Sequence, residues 1–141
     1  MTTISIRGLN VSFGGRPVLR NLDLDVVRGG PTVLLGRSGS GKTTLLRAIN
    51  RLNECLPGCE TMGLVRIRQD GAMVDAYGPD LRPETLRTRV GMVFQTPNPL
   101  PVGIAENIAL PLALAHGLQG AEITARIEAS LGEAALWDEV K

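Results

Sequence analysis

Apolar and polar residues alternate in the first part of the chain. The alternation covers three short runs, residues 4–6, 11–13 and 22–26. A side-chain period of two is typical of strands with one buried face, so these runs predict half-buried strands of an antiparallel layer. Turn-forming residues separate the predicted strands: Gly8 and Asn10, Gly14 and Gly15, Gly29 and Gly30.

Two later runs are apolar without alternation. Pro31–Leu35 is short and continuous, a pattern typical of a strand covered on both faces inside a parallel sheet, and Val90–Phe94 is predicted to be a second apolar strand. A further strand is expected over Leu64–Arg68, before a turn at Gly71. The sequence therefore combines an antiparallel layer with a buried parallel one.

Helical spacing appears in four places. Leu45, Leu46, Ile49 and Leu52 form one stripe, which predicts a helix that ends near Asn53. A short polar helix is expected over Leu81–Arg89. Another begins near Ile104, and Pro111 should end or kink it because an interior proline costs about 3 kcal/mol. The last is amphipathic, with Ile123, Ile127 and Leu131 on its apolar side and Glu122 and Arg126 on its wet side.

Composition narrows the function classes. The 141 residues carry 15 basic and 14 acidic side chains with no charged block, so no nucleic-acid partner is predicted. The apolar segments are far shorter than the roughly 20 residues of a membrane span, and the pattern predicts a soluble, intracellular chain. Cys55 and Cys59 have only His116 as a further histidine or cysteine, which is too few ligands for zinc, so both are expected to be free thiols.

The segment Gly36–Thr44, GRSGSGKTT, carries the strongest chemical signal. Its residues satisfy G-x-x-x-x-G-K-[ST], between an apolar run and a predicted helix. Glycines let the backbone approach a ligand closely, so the amides from Gly39 to Thr44 are expected to face phosphate oxygens, aided by the helix dipole. Lys42 would reach the β- and γ-phosphates, and the Thr43 hydroxyl would bind Mg²⁺.

A chance match in a glycine-rich chain is the alternative interpretation. With 17 glycines and two lysines, chance gives the motif with a probability of roughly 0.3%, before the flanking elements are considered. Lys42 is also unusual here, because Lys141 is the only other lysine beside 13 arginines. A compact ammonium fits between phosphates where a broad guanidinium does not. Both points favour a nucleotide site.

Two motifs in this order carry a family resemblance. GRSGSGKTT at 36–44 and VGMVFQTPNPLP at 90–101 resemble the Walker A motif and Q-loop of ABC transporter ATP-binding subunits. Together with NRLNE at 50–54, they are most similar to the phosphate-import type. The resemblance implies ATP and Mg²⁺ as ligands, transmembrane permease subunits and a second ATP-binding subunit as partners, and a place on the inner face of the cell membrane. The solute, phosphate or a related inorganic anion, rests on the resemblance alone.

The resemblance also implies site residues. Nucleotide contacts fall on Phe13, Gly36, Ser38, Gly39, Ser40, Gly41, Lys42, Thr43 and Thr44; catalytic roles fall on Lys42 and Gln95, and metal contacts on Thr43 and Gln95. Phe13 takes the place of the aromatic residue that stacks on adenine, where tyrosine is more common, and an inward core residue is the alternative. Gln95 would contact Mg²⁺ and the attacking water and sense the permease; a capping glutamine at a strand end is the plainer interpretation. Arg37 stands where proline is frequent, without a clear consequence.

Three further motifs of the family are not identifiable: the LSGGQ-type signature, the Walker B strand and the switch histidine. AALWDE at 134–139 has the outline of Walker B, but it is rich in alanine, has no β-branched residue and continues a helical pattern, so we interpret it as helix. His116 is expected to be a helix cap or surface residue. Hydrolysis by this chain alone is therefore not expected, and whether it is an enzyme stays open.

The expected fold is an α/β P-loop NTPase of the ABC type, incomplete, with an N-terminal antiparallel β layer. Residues 1–95 would form part of the ATP-binding core, and 96–141 the start of a helical subdomain that stops before the signature. A chain lacking the remaining strands is expected to be poorly stable alone. Two alternatives stay open: a standalone nucleotide-binding module without hydrolysis, and a small P-loop kinase. About 35 residues of antiparallel pattern before the loop argue against the kinase.

Overall fold

The computed structural model describes residues 1–140 and divides the chain into two compact units, Met1–Met92 and Val93–Lys141. The first unit contains a four-stranded sheet, a helix after the glycine-rich loop and one further helix. The second unit is helical. Lys141 lies outside the described residues. No helix within residues 1–140 combines the length and the apolar character needed to cross a membrane.

The sheet of the first unit is antiparallel throughout. Its strands are β1 (Thr2–Phe13), β2 (Arg16–Val27), β3 (Cys59–Gln69) and β4 (Ala72–Asp75), in the spatial order β2-β1-β3-β4. Gly14 and Gly15 form the β1–β2 turn, as the pattern predicted. The predicted turn at Gly8 and Asn10 is wrong, because β1 continues through it as an irregularity in the pairing. Asn10 stabilises this irregularity by donating its amide to the Gly8 carbonyl, 2.7 Å away.

Helix α1 (Lys42–Ile49) follows the loop, and a 3-10 turn, Leu52–Cys55, comes after it. The predicted helix is confirmed, although it ends before Asn53. Helix α2 (Pro83–Arg89) is the last regular element of the first unit, and it confirms the short polar helix that the sequence predicted. The buried core joins one face of β1 and β3 to α1 and α2; its fully buried members include Ile6, Leu9, Val65, Ala48 and Leu86.

The two continuous apolar runs are not strands here. Residues 31–35 and 91–94 have no regular secondary structure, and Leu35 and Val93 are 90% and 97% exposed. A strand needs a neighbour for its backbone N–H and C=O groups, and none of the strands in residues 1–140 pairs with either run. The prediction of a parallel layer is therefore wrong for the described part of the chain.

The second unit contains α3 (Ile104–His116), α4 (Ala121–Glu133) and α5 (Trp137–Val140). Pro111 was expected to end or kink this helix, and it does not end it: α3 continues to His116 and is capped by Gly117 in the left-handed conformation (φ 67°). The amphipathic pattern of α4 is confirmed: Leu131 is buried and Glu122 and Arg126 are exposed.

Candidate functional site: a phosphate-binding loop

The glycine-rich loop turns sharply before α1. Gly39 and Gly41 have φ angles of 78° and 89°, in the left-handed region that glycine adopts without strain. The Ser40 N–H donates to the Arg37 carbonyl at 3.2 Å, which closes a tight turn within the loop. The loop thus folds back on itself and presents mainly backbone, and the residues 35–40 are all exposed.

At two positions of the loop, a side chain would also meet neighbouring atoms at short distance. A Cβ on Gly36 would lie 2.7 Å from the Ser40 Oγ, and one on Gly41 would lie 2.8 Å from the Leu19 Cδ2. Leu19 is a buried core residue of β2, so it has little room to move. The loop therefore approaches the sheet at Gly41 more closely than a side chain would allow, whereas at Gly36 the nearest atom belongs to the exposed Ser40 side chain, which can rotate away.

Lys42 reaches back over the loop from the first position of α1. Its Nζ donates to the Gly36 and Arg37 carbonyls, both at 2.8 Å, and to the Ser40 Oγ at 3.4 Å. These neutral acceptors hold the ammonium beside the backbone without neutralising its charge. An anionic ligand at the loop would gain a charge-assisted hydrogen bond from the same group.

The start of α1 adds unpaired backbone donors. Gly41 is its N-cap, and the first helical hydrogen bond runs from the Leu45 N–H to the Gly41 carbonyl at 2.9 Å. The amides of the first turn therefore have no partner within the helix, and this turn carries no acidic residue that would compete for the positive end of the dipole. Thr43 is exposed at this end. This arrangement suits a phosphate group.

The composition of the loop also bears on the metal. Within residues 1–140, no group of three or more His, Cys, Asp or Glu side chains could hold a metal ion. A divalent cation at this loop would therefore depend on phosphate oxygens together with neutral oxygen donors such as the Thr43 hydroxyl. Mg²⁺ commonly binds in this way, with few protein ligands and a nucleotide. The residues present fit Mg²⁺ delivered with its nucleotide.

Phe13 ends β1 and is half-buried. It packs against the core of the first unit, which agrees with the alternative of an inward core residue. Part of its ring is still accessible, so the geometry also leaves room for stacking on a base.

Gln95 lies in the second unit, exposed, at a bend. The proline-rich loop after it is fixed to α3 by Asn107, whose amide nitrogen donates to the carbonyls of Leu100, Val102 and Gly103 at 3.0–3.2 Å. The Leu100 N–H donates to the Asn107 Oδ1 at 2.8 Å. Asn107 thus orders this loop against the first turn of α3.

The same unit carries two open grooves. Leu100, Val102, Leu110 and Ile123 contribute to an apolar groove of about 390 Å³. A second groove, of about 600 Å³, includes His116, Glu122 and Arg126. His116 is the exposed last residue of α3, which confirms its interpretation as a surface residue at a helix end. AALWDE begins directly after α4: residues 134–136 are not helical and residues 137–139 start α5. The segment is not a strand, which agrees with its rejection as Walker B.

The sequence analysis missed a cluster of side chains around the C-terminal half of α1. Tyr77 donates its hydroxyl to the Ala48 carbonyl at 2.9 Å. Arg87 of α2 donates to the carbonyls of Asn50 and Arg51, at 3.2 and 2.8 Å. Fully buried Asn53 donates to the Thr44 carbonyl at 2.9 Å. We call Asn53, Tyr77 and Arg87 the carbonyl clamp, because each side chain bonds a carbonyl of residues 44–51.

Arg51 lies at the centre of this region in a left-handed conformation, with φ 60°. Such a position after a helix usually belongs to glycine. The Arg51 guanidinium offsets the strain through several contacts: it pairs with Glu54 at 3.0 Å, donates to the carbonyls of Ala76 and Leu81, and lies 5.1 Å from the centre of the Tyr77 ring. Burial raises the pKa of Tyr77 to about 12. The quoted NRLNE segment was the only sequence signal near the cluster, and nothing in the sequence pointed to Tyr77.

The two cysteines are both free, as expected. Cys55 is exposed, and its Sγ accepts a hydrogen bond from Arg87 at 3.6 Å.

Comparison with known proteins agrees with the geometry of the loop. A family model described as ABC transporter matches residues 19–140. The chain is 45% identical over 99% of its length to the phosphate import ATP-binding protein PstB of Parasynechococcus marenigrum, and 43% identical over 99% to PstB 1 of Vibrio parahaemolyticus. It covers 49% and 50% of these two proteins, so the chain spans about half the length of the curated relatives it matches.

The match covers all three segments that carried the resemblance in the sequence, residues 36–44, 50–54 and 90–101. An exposed glycine-rich loop, a lysine folded over it and a helix beginning at that lysine are the local features expected of a P-loop NTPase. The chain belongs to the ABC transporter family, and its fold is part of the ABC-type P-loop NTPase domain.

Proposed function

We propose that this chain is part of the ATP-binding subunit of an ABC importer and binds Mg²⁺-ATP at residues 36–44. The observation that carries the proposal is the geometry of the loop. The loop is an exposed backbone turn in which Lys42 Nζ lies 2.8 Å from two loop carbonyls. Helix α1 follows the turn directly, and the amides of its first turn have no partner within the helix. The Lys42 ammonium offers positive charge and the first amides of α1 offer hydrogen-bond donors to a phosphate chain.

The individual roles follow from position. The amides of Gly39, Gly41, Lys42, Thr43 and Thr44 would face phosphate oxygens, with Gly36, Ser38 and Ser40 completing the loop. Ser40 must first release the Arg37 carbonyl if its N–H is to join them. Lys42 would exchange its carbonyl acceptors for β- and γ-phosphate oxygens. Phe13 would stack on the base through its accessible side.

Mg²⁺ would be held by the Thr43 hydroxyl, and when bound it neutralises charge on the β- and γ-phosphates. For Gln95, a contact with Mg²⁺ is proposed from the Q-loop motif alone. Hydrolysis needs a group that positions or deprotonates water, and such assistance contributes typically 10² to 10⁴ in rate. The family's Walker B and signature motifs are not identifiable in this sequence. We therefore assign nucleotide binding to this chain, and hydrolysis only to an assembly that supplies those motifs.

We further propose phosphate, or a related inorganic anion, as the solute, with permease subunits and a second ATP-binding subunit as partners at the inner face of the membrane. The names of the similar proteins support the solute. The exposed apolar groove of the second unit offers a surface for a permease contact in the same unit as Gln95.

Isothermal calorimetry with Mg²⁺-ATP tests nucleotide binding. We expect the chain to bind Mg²⁺-ATP and the Lys42→Ala variant to bind at least about tenfold more weakly, because a charge-assisted hydrogen bond contributes about 1.5 to 3 kcal/mol. Lys141→Ala removes the only other lysine and is the matched control for charge. Equal affinity of Lys42→Ala and the unaltered chain would refute the assignment.

The solute is tested in a bacterium that lacks its own phosphate-import ATP-binding protein. The chain, joined to the C-terminal half of the Parasynechococcus relative, should restore uptake of labelled phosphate, and the Lys42→Ala version should not. Restored uptake of a different anion, with no phosphate uptake, would overturn the solute assignment and leave nucleotide binding intact.

A further inference from the structure

Helix α1 is held at both ends by groups that act on its backbone. The phosphate-binding loop lies at its N-terminus, and the carbonyl clamp acts on residues 44–51. A helix of eight residues is too short to be stable by itself in water. The stability of α1 therefore depends on the groups that bind its two ends, and a ligand at one end can change how well the other end is ordered.

Arg87 is the member of the clamp that lies on another helix. Its Nε and Nη2 donate to the carbonyls of Asn50 and Arg51, which directly follow the last turn of α1. Carbonyls at a helix C-terminus carry partial negative charge, and a cation stabilises them. An anion at the N-terminus of α1 and the Arg87 cation at its C-terminus thus stabilise the same helix dipole.

Helix α2, on which Arg87 stands, leads into the segment that contains Gln95. The hydrogen bonds at its two ends run from the Leu86 N–H to the Arg82 carbonyl and from the Val90 N–H to the Leu86 carbonyl, at 3.0 and 2.9 Å. Leu86 is fully buried in the core with Ala48 of α1. The two helices therefore share the buried core of the first unit, and Arg87 adds a polar link from α2 to the residues directly after α1.

We propose that Arg87 is a positioning residue that couples nucleotide occupancy of the loop at 36–44 to the order of α2, through the Asn50 and Arg51 carbonyls that directly follow α1. The inference rests on the proposed nucleotide site. It adds a route by which α2, and the chain that continues toward Gln95, responds to the nucleotide. Coupling of this kind is reciprocal, so loss of Arg87 must also weaken nucleotide binding.

Hydrogen exchange of backbone amides, with and without saturating Mg²⁺-ATP, tests the proposal. In the unaltered chain we expect the nucleotide to slow exchange in the loop and, by about fivefold or more, at Leu86 and Val90 of the α2 region. In Arg87→Gln the loop should still be protected while the nucleotide-dependent protection of α2 disappears, and Mg²⁺-ATP affinity should fall by a similar factor. Arg87→Lys retains a cation and should restore part of the coupling.

Arg89→Gln is the matched control, because Arg89 lies on the same helix but pairs with exposed Asp70 at 3.2 Å, away from α1. It should keep the full response. A merely structural role of Arg87 would change the exchange of α2 equally with and without nucleotide, and so would leave the nucleotide-dependent ratio unaltered.

Two negative results are distinguishable. Absence of loop protection in the unaltered chain would refute the nucleotide site itself. Loop protection without a response in α2, or an unchanged response in Arg87→Gln, would refute only the coupling. If Arg87→Gln does not fold, the unaltered chain and Arg87→Lys still decide, since a missing α2 response in the unaltered chain contradicts the proposal.

Discussion

Gly39 and Gly41 belong to the same loop but are required for different reasons. Both have positive φ, but a Cβ at Gly39 meets open space, whereas one at Gly41 meets the buried Leu19 side chain at 2.8 Å and the Val18 carbonyl at 3.5 Å. Position 41 therefore combines backbone strain with a steric limit, and position 39 has strain alone.

We expect Gly41→Ala to lower the free energy of unfolding by roughly 2 to 4 kcal/mol, from strain and overpacking together, and Gly39→Ala by about 1 kcal/mol. Urea denaturation of the two variants measures the difference. Equal losses would show that Leu19 does not restrict the loop.

Tyr77 is the only tyrosine of the chain, so its ionisation can be observed directly by absorbance. Its pKa is raised from 10.0 to about 12 by burial. A raised pKa means that the folded state favours the protonated hydroxyl, which donates to the Ala48 carbonyl. This contribution to stability is complete below pH 10 and is lost as the pH rises from about 10 toward 12.

We expect the tyrosinate signal of the folded chain to appear with a midpoint near pH 12, and that of the chain in urea near pH 10. In Tyr77→Phe, the loss of stability between pH 10 and 12 should be smaller than in the unaltered chain. A midpoint near 10 in the folded chain would mean that the hydroxyl is exposed and does not bond α1.

At the scale of elements, the close pairing of β1 with β3 depends on a glycine. Gly63 has φ 110°, and a Cβ there would lie 2.5 Å from the Gly8 carbonyl oxygen and 2.9 Å from the Leu9 Cα. These are backbone atoms of β1 next to its pairing irregularity, so they cannot move aside as a side chain could.

Gly63→Ala should therefore separate the two strands locally and destabilise the chain by about 3 kcal/mol or more. Gly71→Ala is the control, because Gly71 also has positive φ (89°) but open space around it, and it should cost about 1 kcal/mol. Thermal unfolding by circular dichroism ranks the two. A Gly63→Ala loss no larger than that of Gly71→Ala would contradict the close approach.

The elements differ in how far the sequence predicts them. Alternation predicted the antiparallel strands, and the i, i+4 stripe predicted α4, because one half-buried face leaves a local signature. The run Pro31–Leu35 was predicted as a strand, but a parallel strand exists only when a distant segment pairs with it, and local pattern does not report that pairing. Pro111 was expected to end or kink α3, and it does not end the helix, which continues to His116.

At the scale of the whole molecule, the sequence predicted the phosphate-binding loop but not the carbonyl clamp that holds the helix after it. The spacing of Gly36, Gly41 and Lys42 identified the phosphate-binding motif because its chemistry is local. The carbonyl clamp was invisible for the opposite reason. Tyr77 and Arg87 lie 29 and 37 residues from the carbonyls they bond. No local sequence pattern predicts a hydrogen bond from a single tyrosine or arginine to a residue so far away in the chain.

The central claim is that backbone amides of residues 36–44 bind the phosphates of a nucleotide through hydrogen bonds. Amide chemical shifts of the ¹⁵N-labelled chain, followed during titration with Mg²⁺-ATP and separately with adenosine, test it most directly. We predict that the amides of Gly39 to Thr44 shift strongly with Mg²⁺-ATP and hardly at all with adenosine, because the donors face phosphate and not the base. Unshifted loop amides at saturating Mg²⁺-ATP, or equal shifts with adenosine, would contradict the account.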